Sequence, residues 1–223
     1  MKANTRLLQT SDGSHTLYVP EIDETYHSTH GAMQESMHIF IDSALRKCVL
    51  NKVRILEIGF GTGLNALLTK READLTDLSV QYTTLEKFPV SNELIGALNY
   101  SELVGGDVDF DFFNLMHQAP WNNSVLLCDD FEIHKIECDF TQFESAGSQF
   151  DVVYFDAFSP DKQPEMWTVE QFGRVYDWCA PNAILTTYCA KGVVRRALQE
   201  VGFKVERLPG PPGKREILRA TKI

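Results

Sequence analysis

Val53-Arg54-Ile55-Leu56-Glu57-Ile58-Gly59-Phe60-Gly61-Thr62-Gly63-Leu64-Asn65 is the stretch on which the fold turns. Its first six residues form a short apolar run rich in branched side chains, which reads as a strand. From residue 64 to 73 the pattern becomes helical. Glycines between a strand and a helix allow a tight turn and let a ligand come close to the backbone. The spacing is G-x-G-x-G. It is not the G-x-G-x-x-G of nicotinamide and flavin enzymes, and no G-K-[S/T] follows as in a Walker loop.

Downstream, the strand and helix patterns alternate. Residues 80–86 read as a second strand, and 91–99 look helical. Residues 125–128 and 133–138 flank Asp129-Asp130-Phe131-Glu132 and read as a hairpin. Residues 150–156 are almost continuously apolar, as a strand covered on both faces should be. A strand at 183–188, a helix at 192–201 and strands at 203–207 and 216–221 complete the series. Pro209-Gly210-Pro211-Pro212-Gly213 separates the last two. The pattern assigns no element to 100–124 or to 168–182. Upstream, 16–20 is a short strand and 21–30 a polar loop. Apolar residues at steps of three and four over 32–50 predict one amphipathic helix. Alternation of this kind means an α/β fold with a mostly parallel sheet. Residues 1–50 read as an N-terminal extension and 51–223 as the main domain.

The 223 residues are 43% hydrophobic and 23% charged, ordinary for a globular chain. No apolar run approaches the roughly 20 residues that span a bilayer. The start, Met1-Lys2-Ala3-Asn4-Thr5-Arg6, lacks the apolar core of a signal peptide, so a cytoplasmic location is expected. Five cysteines without a C-x-x-C pair argue against a zinc site or a disulfide frame, and no metal is expected. The net charge of −10 is unevenly spread. From Lys191 to the end there are 9 basic and 3 acidic residues, against 12 and 28 before it. A basic end on an acidic body suits docking to a polyanion.

Three carboxylates suggest what the glycine loop holds. Glu57, before the first glycine, suits a ligand that carries positive charge, as S-adenosylmethionine does at its ammonium and sulfonium. Glu86 ends the second strand 23 residues beyond Gly63, where doubly wound folds place the acid that accepts ribose hydroxyls. Asp139 follows the 133–138 strand and is placed to accept from an adenine amino group. Then Phe155-Asp156-Ala157-Phe158-Ser159-Pro160-Asp161-Lys162-Gln163-Pro164-Glu165-Met166-Trp167 leaves the end of an apolar strand, where ligands bind in open α/β sheets. Acid, aromatics and prolines together make a stiff wall for a planar base beside a reactive amine.

At these residues the chain resembles the methyltransferase domain of the MnmC family of tRNA wobble-uridine modification enzymes. The matching segments are Gly59-Phe60-Gly61-Thr62-Gly63-Leu64-Asn65, Leu85-Glu86-Lys87-Phe88-Pro89, the 156–167 run and Gly213-Lys214-Arg215-Glu216, with Gly31-Ala32-Met33-Gln34-Glu35 a weaker match. The resemblance implies a Rossmann-like class I methyltransferase fold, with helices on both faces of the sheet. It implies N-methylation of 5-aminomethyl-2-thiouridine in tRNA with S-adenosylmethionine, in a form without the family's flavin-dependent oxidase domain. Glu57, Gly59, Phe60, Gly61, Gly63, Asn65, Glu86, Lys87, Asp139 and Glu35 would then hold the cofactor. Phe158, Lys162, Met166, Trp167, Lys214 and Arg215 would hold the substrate, and tRNA would dock on the basic C-terminal segment. Gln163 stands where the family pattern leads one to expect asparagine.

The acceptor amine must be neutral to attack a methyl carbon. Asp156 is the candidate to take its proton, or only to orient it. Phe158 and Trp167 are candidates to stack on a flipped uridine. His27, His30 and His38 are weaker candidates for a base. Two other readings stay open: a small-molecule methyltransferase or aminopropyltransferase of similar fold, and a non-catalytic adenosyl-binding module.

Overall fold

The computed structural model describes residues 5–105, 107–145, 147 and 149–223. Eight strands form the main sheet. In chain order they are β4 (Lys52–Ile58), β5 (Ser79–Glu86), β6 (Asn123–Cys128), β7 (Phe131–Glu137), β8 (Phe150–Phe155), β9 (Cys179–Thr187), β10 (Phe203–Pro209) and β11 (Glu216–Lys222). Their spatial order is β10-β11-β9-β8-β4-β5-β7-β6. The five central strands run parallel, while β6, β10 and β11 are antiparallel to their neighbours. The chain leaves β4 toward β5 on one side and returns to β8 on the other. The strand order therefore reverses between β4 and β8, which opens a crevice at their C-terminal ends.

Two apolar clusters pack on the two faces. One gathers α2 (Leu64–Thr76) and α5 (Asp107–Gln118) against β4, β5 and β7. The other gathers α6 (Val169–Trp178) and α7 (Gly192–Glu200) against β8, β9 and β11. With both faces covered, every residue of β8 is buried, as its continuous apolar pattern requires.

Residues 5–50 form a small sheet of β1 (Arg6–Gln9), β2 (His15–Val19) and β3 (Glu24–Thr25), followed by a broken helix. The single helix expected over 32–50 is not there. The segment is α1 (Ala32–Ser36), a π-helical stretch Met37–Asp42 and a short 3₁₀ turn Leu45–Lys47. The Ser43 hydroxyl donates to the carbonyl of His38, five residues back (2.7 Å), and closes the widened turn. Widening of this kind rotates the downstream residues away from a 3.6-residue repeat.

Two helices of ten or more residues lie where the pattern assigned none. These are α5 and α6, the latter capped by Thr168, whose hydroxyl accepts from the Gln171 N–H (3.2 Å). The helix expected over 91–99 is the short α3 (Asn92–Gly96), joined by α4 (Tyr100–Val104).

Candidate active site

A cavity of about 380 Å³ opens at the C-terminal ends of the parallel strands. That is within the range of small-molecule sites. Its floor is the turn after β4. Gly59, Phe60 and Gly61 line it, with Glu86 and Lys87 after β5, Asp139 after β7, Asp156 after β8 and Tyr188 after β9. Five strand ends thus converge where the topology reverses.

The glycines are there for closeness. A Cβ on Gly59 would lie 2.6 Å from the Asp156 carbonyl oxygen, so the loop could not pack against the end of β8. Gly61 has φ +52°, and a Cβ there would lie 2.9 Å from the Tyr26 ring. The space denied to a side chain at 61 is therefore filled by the N-terminal segment. Gly63 faces the other way, toward Met116 and His117 of α5, and does not line the cavity.

Glu86 ties the floor together. Its Oε2 accepts from the Gly61 N–H (3.0 Å) and its Oε1 from the Phe88 N–H (2.8 Å). Burial raises its pKa, and those backbone donors work against the rise. Asp139 is held differently. Lys87 Nζ pairs with its Oδ2 (2.6 Å), and its Oδ1 accepts from the N–H and hydroxyl of Thr141 (2.9 and 2.8 Å). The Lys87 bond holds its pKa below the usual value.

Glu57 does not face the cavity. It is fully buried beneath the loop, where its Oε2 accepts from the Thr84 hydroxyl (2.7 Å) and its Oε1 from the Asn65 side-chain amide (3.1 Å). Burial pushes it up to about 8, so at neutral pH it is an uncharged acid and no counter-ion for a cationic ligand. Asn65 is buried too. Its amide also donates to Asp156 Oδ2 (2.9 Å). Asp156 lines the cavity, and burial raises its carboxyl to about 7.

The opposite wall comes from sequence-distant segments. Glu35 of α1 accepts the Ser28 N–H on Oε2 (2.7 Å) and pairs through Oε1 with Lys214 Nζ (3.3 Å), on the turn between β10 and β11. Lys214 also sits 4.7 Å from the centre of the Tyr188 ring. Tyr188 in turn donates to the Ala157 carbonyl (2.8 Å). Phe158 meets Tyr26 edge-on at 5.2 Å, and Lys162 and Met166 stand beside it.

Two expected substrate residues lie elsewhere. Trp167 is buried, packs on Phe155 and Phe172, and donates Nε1 to the Phe158 carbonyl (2.9 Å). Sealed in the core, it cannot stack on a base; it pins the loop that carries Phe158. Arg215 is exposed and outside the cavity, because adjacent residues entering a strand point to opposite sides.

The three histidines are placed by packing. His27 is buried, bonded through Nε2 to the Thr62 hydroxyl (2.8 Å), and lowered by burial to about 4. His30 packs on Gly213, and His38 Nε2 donates to the Pro209 carbonyl (2.7 Å). Tyr26, Ser28, Cys138 and Tyr188 line the cavity without having been marked in the sequence, and Phe88 lines it without having been given a binding role. Among the described residues, no group of three His, Cys, Asp or Glu could hold a metal, and no helix is long and apolar enough to cross a membrane.

These residues fit S-adenosyl-L-methionine. The loop leaves no room for side chains at 59 and 61, and half-buried carboxyl groups stand at the ends of β5 and β8. Residues 119–223 match a family described as S-adenosyl-L-methionine-dependent methyltransferase. The chain is 32% identical over 218 residues to the bifunctional tRNA 5-methylaminomethyl-2-thiouridine biosynthesis protein MnmC of Pseudomonas savastanoi, covering 91% of this chain and 33% of that protein. The MnmC of Pseudomonas aeruginosa is likewise 32% identical, over 89% of this chain and 32% of its own. The chain thus spans about a third of the length of the curated relatives it matches.

Among solved structures, MnmC2 of Aquifex aeolicus superposes with a TM-score of 0.77 at 26% identity, covering 97% of this chain and 70% of that one. Spermidine synthase of Thermotoga maritima shares the fold, with a TM-score of 0.56 at 12% identity over 99% of this chain and 72% of its own. A crevice of this build and likeness over nine-tenths of the sequence lead to one conclusion: the chain is an S-adenosyl-L-methionine-dependent methyltransferase, similar over most of its length to the MnmC proteins.

Proposed function

We propose that the chain methylates the aminomethyl nitrogen of 5-aminomethyl-2-thiouridine at the wobble position of tRNA. The observation that carries the reading is Asp156, a carboxyl raised to about 7 and set in the cavity between the glycine loop and the Phe158 wall. The names of the relatives supply the nucleoside. The reading puts the protein in the cytoplasm, with tRNA.

S-adenosyl-L-methionine supplies a methyl group on a sulfonium. The chain's residues must bring a neutral amine to it. An alkylamine with a lysine-like pKa of about 10.4 arrives protonated. An ordinary aspartate near 3.8 would accept that proton only against a gap of more than six units. Raising Asp156 to about 7 removes about 3 units, or on the order of 4 kcal/mol, from the uphill transfer. Asp156 thus holds the proton, while Glu35, beside it, pairs with Lys214.

In this reading Gly59, Phe60, Gly61, Glu86, Lys87 and Asp139 bind the adenosyl part, with Glu86 accepting ribose hydroxyls. Phe158 stacks on the flipped base, and Met166 and Lys162 bound it. The tRNA backbone docks on the basic C-terminal segment. Of its side chains, Arg196, Lys204 and Arg215 are exposed, while Lys191 pairs with Asp161 at the surface. Exposed pairs of that kind exchange readily for phosphate.

The test is mass spectrometry of wobble nucleosides from cells lacking the protein, with methyl transfer measured on their tRNA. Accumulated 5-aminomethyl-2-thiouridine, methylated by the purified protein, is the expected result. No accumulation, with turnover on free small amines, would overturn the reading in favour of a small-molecule transferase.

A further inference from the structure

The cavity carboxylate is held from below by a chain of hydrogen bonds that never reaches the cavity. Thr84 of β5 donates to Glu57 of β4; Glu57 accepts from Asn65 at the start of α2; and the same Asn65 nitrogen donates to Asp156 at the end of β8 (2.7, 3.1 and 2.9 Å). Glu57 is 0% exposed and Asn65 3%. The Asn65 carbonyl oxygen is buried without a hydrogen-bond partner. Leaving a buried acceptor unpaired costs about 1–3 kcal/mol. An amide that spends its donors on two carboxyl groups and leaves its own oxygen orphaned is arranged for those carboxyls.

We infer that Asn65, itself oriented by Glu57, is a positioning residue that fixes Asp156 to receive the amine proton. Asn65 binds Asp156 through Oδ2, and Oδ1 has no side-chain partner among the described residues. Two anions bridged by one amide would repel, so one negative charge serves the pair, and it resides on Asp156, which opens to the cavity, while Glu57 is closed off from solvent. Glu57 is the more deeply buried of the two and keeps its proton to higher pH. The other groups facing Asp156 are Glu35 from α1 and Lys214 from the β10–β11 turn, which act in opposite directions, and Tyr188 after β9 and Tyr82 of β5, both held neutral. The arrangement repeats the logic of a catalytic base oriented by a third group.

The inference rests on Asp156 as base, and its test has a readout that needs no turnover. In protein labelled with ¹³C at aspartate carboxyls, Asp156 is assigned by the loss of its signal in Asp156→Asn and then titrated. Asn65→Leu removes a donor to the charged form and should raise the midpoint by roughly one unit. Asn65→Ser serves the same purpose if the leucine variant does not fold. Glu57→Gln replaces a neutral acid by a neutral amide of the same shape and should leave the midpoint unchanged. In methyl transfer, Asn65→Leu should lower kcat about 10–100-fold with little change in KM, and its acid limb should move with the titration.

An unmoved midpoint in both Asn65 variants, or a midpoint lowered by a unit in Glu57→Gln, would overturn the inference. If the midpoints move as expected and no protein methylates tRNA, the positioning stands and the substrate reading falls.

Discussion

The two ends of the cavity are built in different ways. The end proposed for the adenosyl part is made by consecutive strand ends, Gly59 to Gly61, Glu86 and Asp139, within 81 residues of one another. The acceptor end is assembled from Tyr26, Glu35, Asp156, Phe158, Tyr188 and Lys214, spread over nearly the whole chain. At the adenosyl end the backbone does much of the work, through turns without Cβ atoms and N–H groups bonded to Glu86. At the acceptor end side chains meet side chains, as in the Glu35–Lys214 pair and the Tyr26–Phe158 contact. A backbone-built end should fail in cofactor affinity when disturbed. A side-chain-built end should fail in rate.

The largest effect should come from Asp156→Ala. It is expected to lower kcat by about 10²–10⁴ while S-adenosyl-L-methionine affinity by calorimetry stays within a few-fold. A large loss of affinity would mean that the two ends are not separable. Gly61→Val should do the reverse. Its side chain would meet the Tyr26 ring at a backbone φ of +52°, so cofactor binding should drop below detection in a protein that still folds. Normal affinity there would break the assignment of the floor. Glu86→Ala should weaken cofactor binding by roughly 1–3 kcal/mol, the scale of hydrogen bonds to a charged group.

A pH experiment sharpens the comparison from the side of stability. Glu57 titrates near 8 in the folded chain, against an ordinary 4.5 when unfolded. The folded state therefore binds more protons between those values. Its contribution is fully present below about 4.5 and is lost as pH rises toward 8. Glu57→Gln should flatten that decline in urea unfolding midpoints between pH 5 and 8. An unaltered pH profile would mean that Glu57 is already ionised in the fold.

The smallest effect concerns docking. Lys214 faces the cavity and Arg215 does not. Arg215→Ala should reduce the log–log salt slope of tRNA binding by about one and leave the methylation rate at saturation intact. Lys214→Ala should change the rate more than the slope. Equal behaviour of the two would show that they act as one phosphate grip.

The same division governs what could be read from the sequence. The glycine-loop end of the cavity was legible because glycine spacing and strand-end acids are local patterns. So were the positions of strands β4 to β11 along the chain and the buried character of β8. Tyr26 and Tyr188 were not, because nothing local marks a residue that a distant loop carries over the crevice. Glu57 misled for a physical reason. Strand side chains alternate, and its turn falls on the core side, one residue before Ile58 and two before the first glycine. Asp107-Val108-Asp109-Phe110-Asp111-Phe112 hid α5 behind a two-residue alternation that mimics a strand. The Thr168 cap and the spacing of Phe172 and Val175 were readable signs of α6.

The central claim is that Asp156 takes the proton from the acceptor amine. The most direct measurement is the single-turnover rate of methyl transfer to aminomethyl-containing tRNA as a function of pH, in wild type and Asp156→Asn. Asparagine keeps the shape and can still orient the amine, but it cannot take a proton. The wild-type rate should rise with pH through about 7, as the carboxyl ionises. The variant should be slower by about 10² or more and should lose that limb. An asparagine variant with near-normal rates and the same pH dependence would contradict the account.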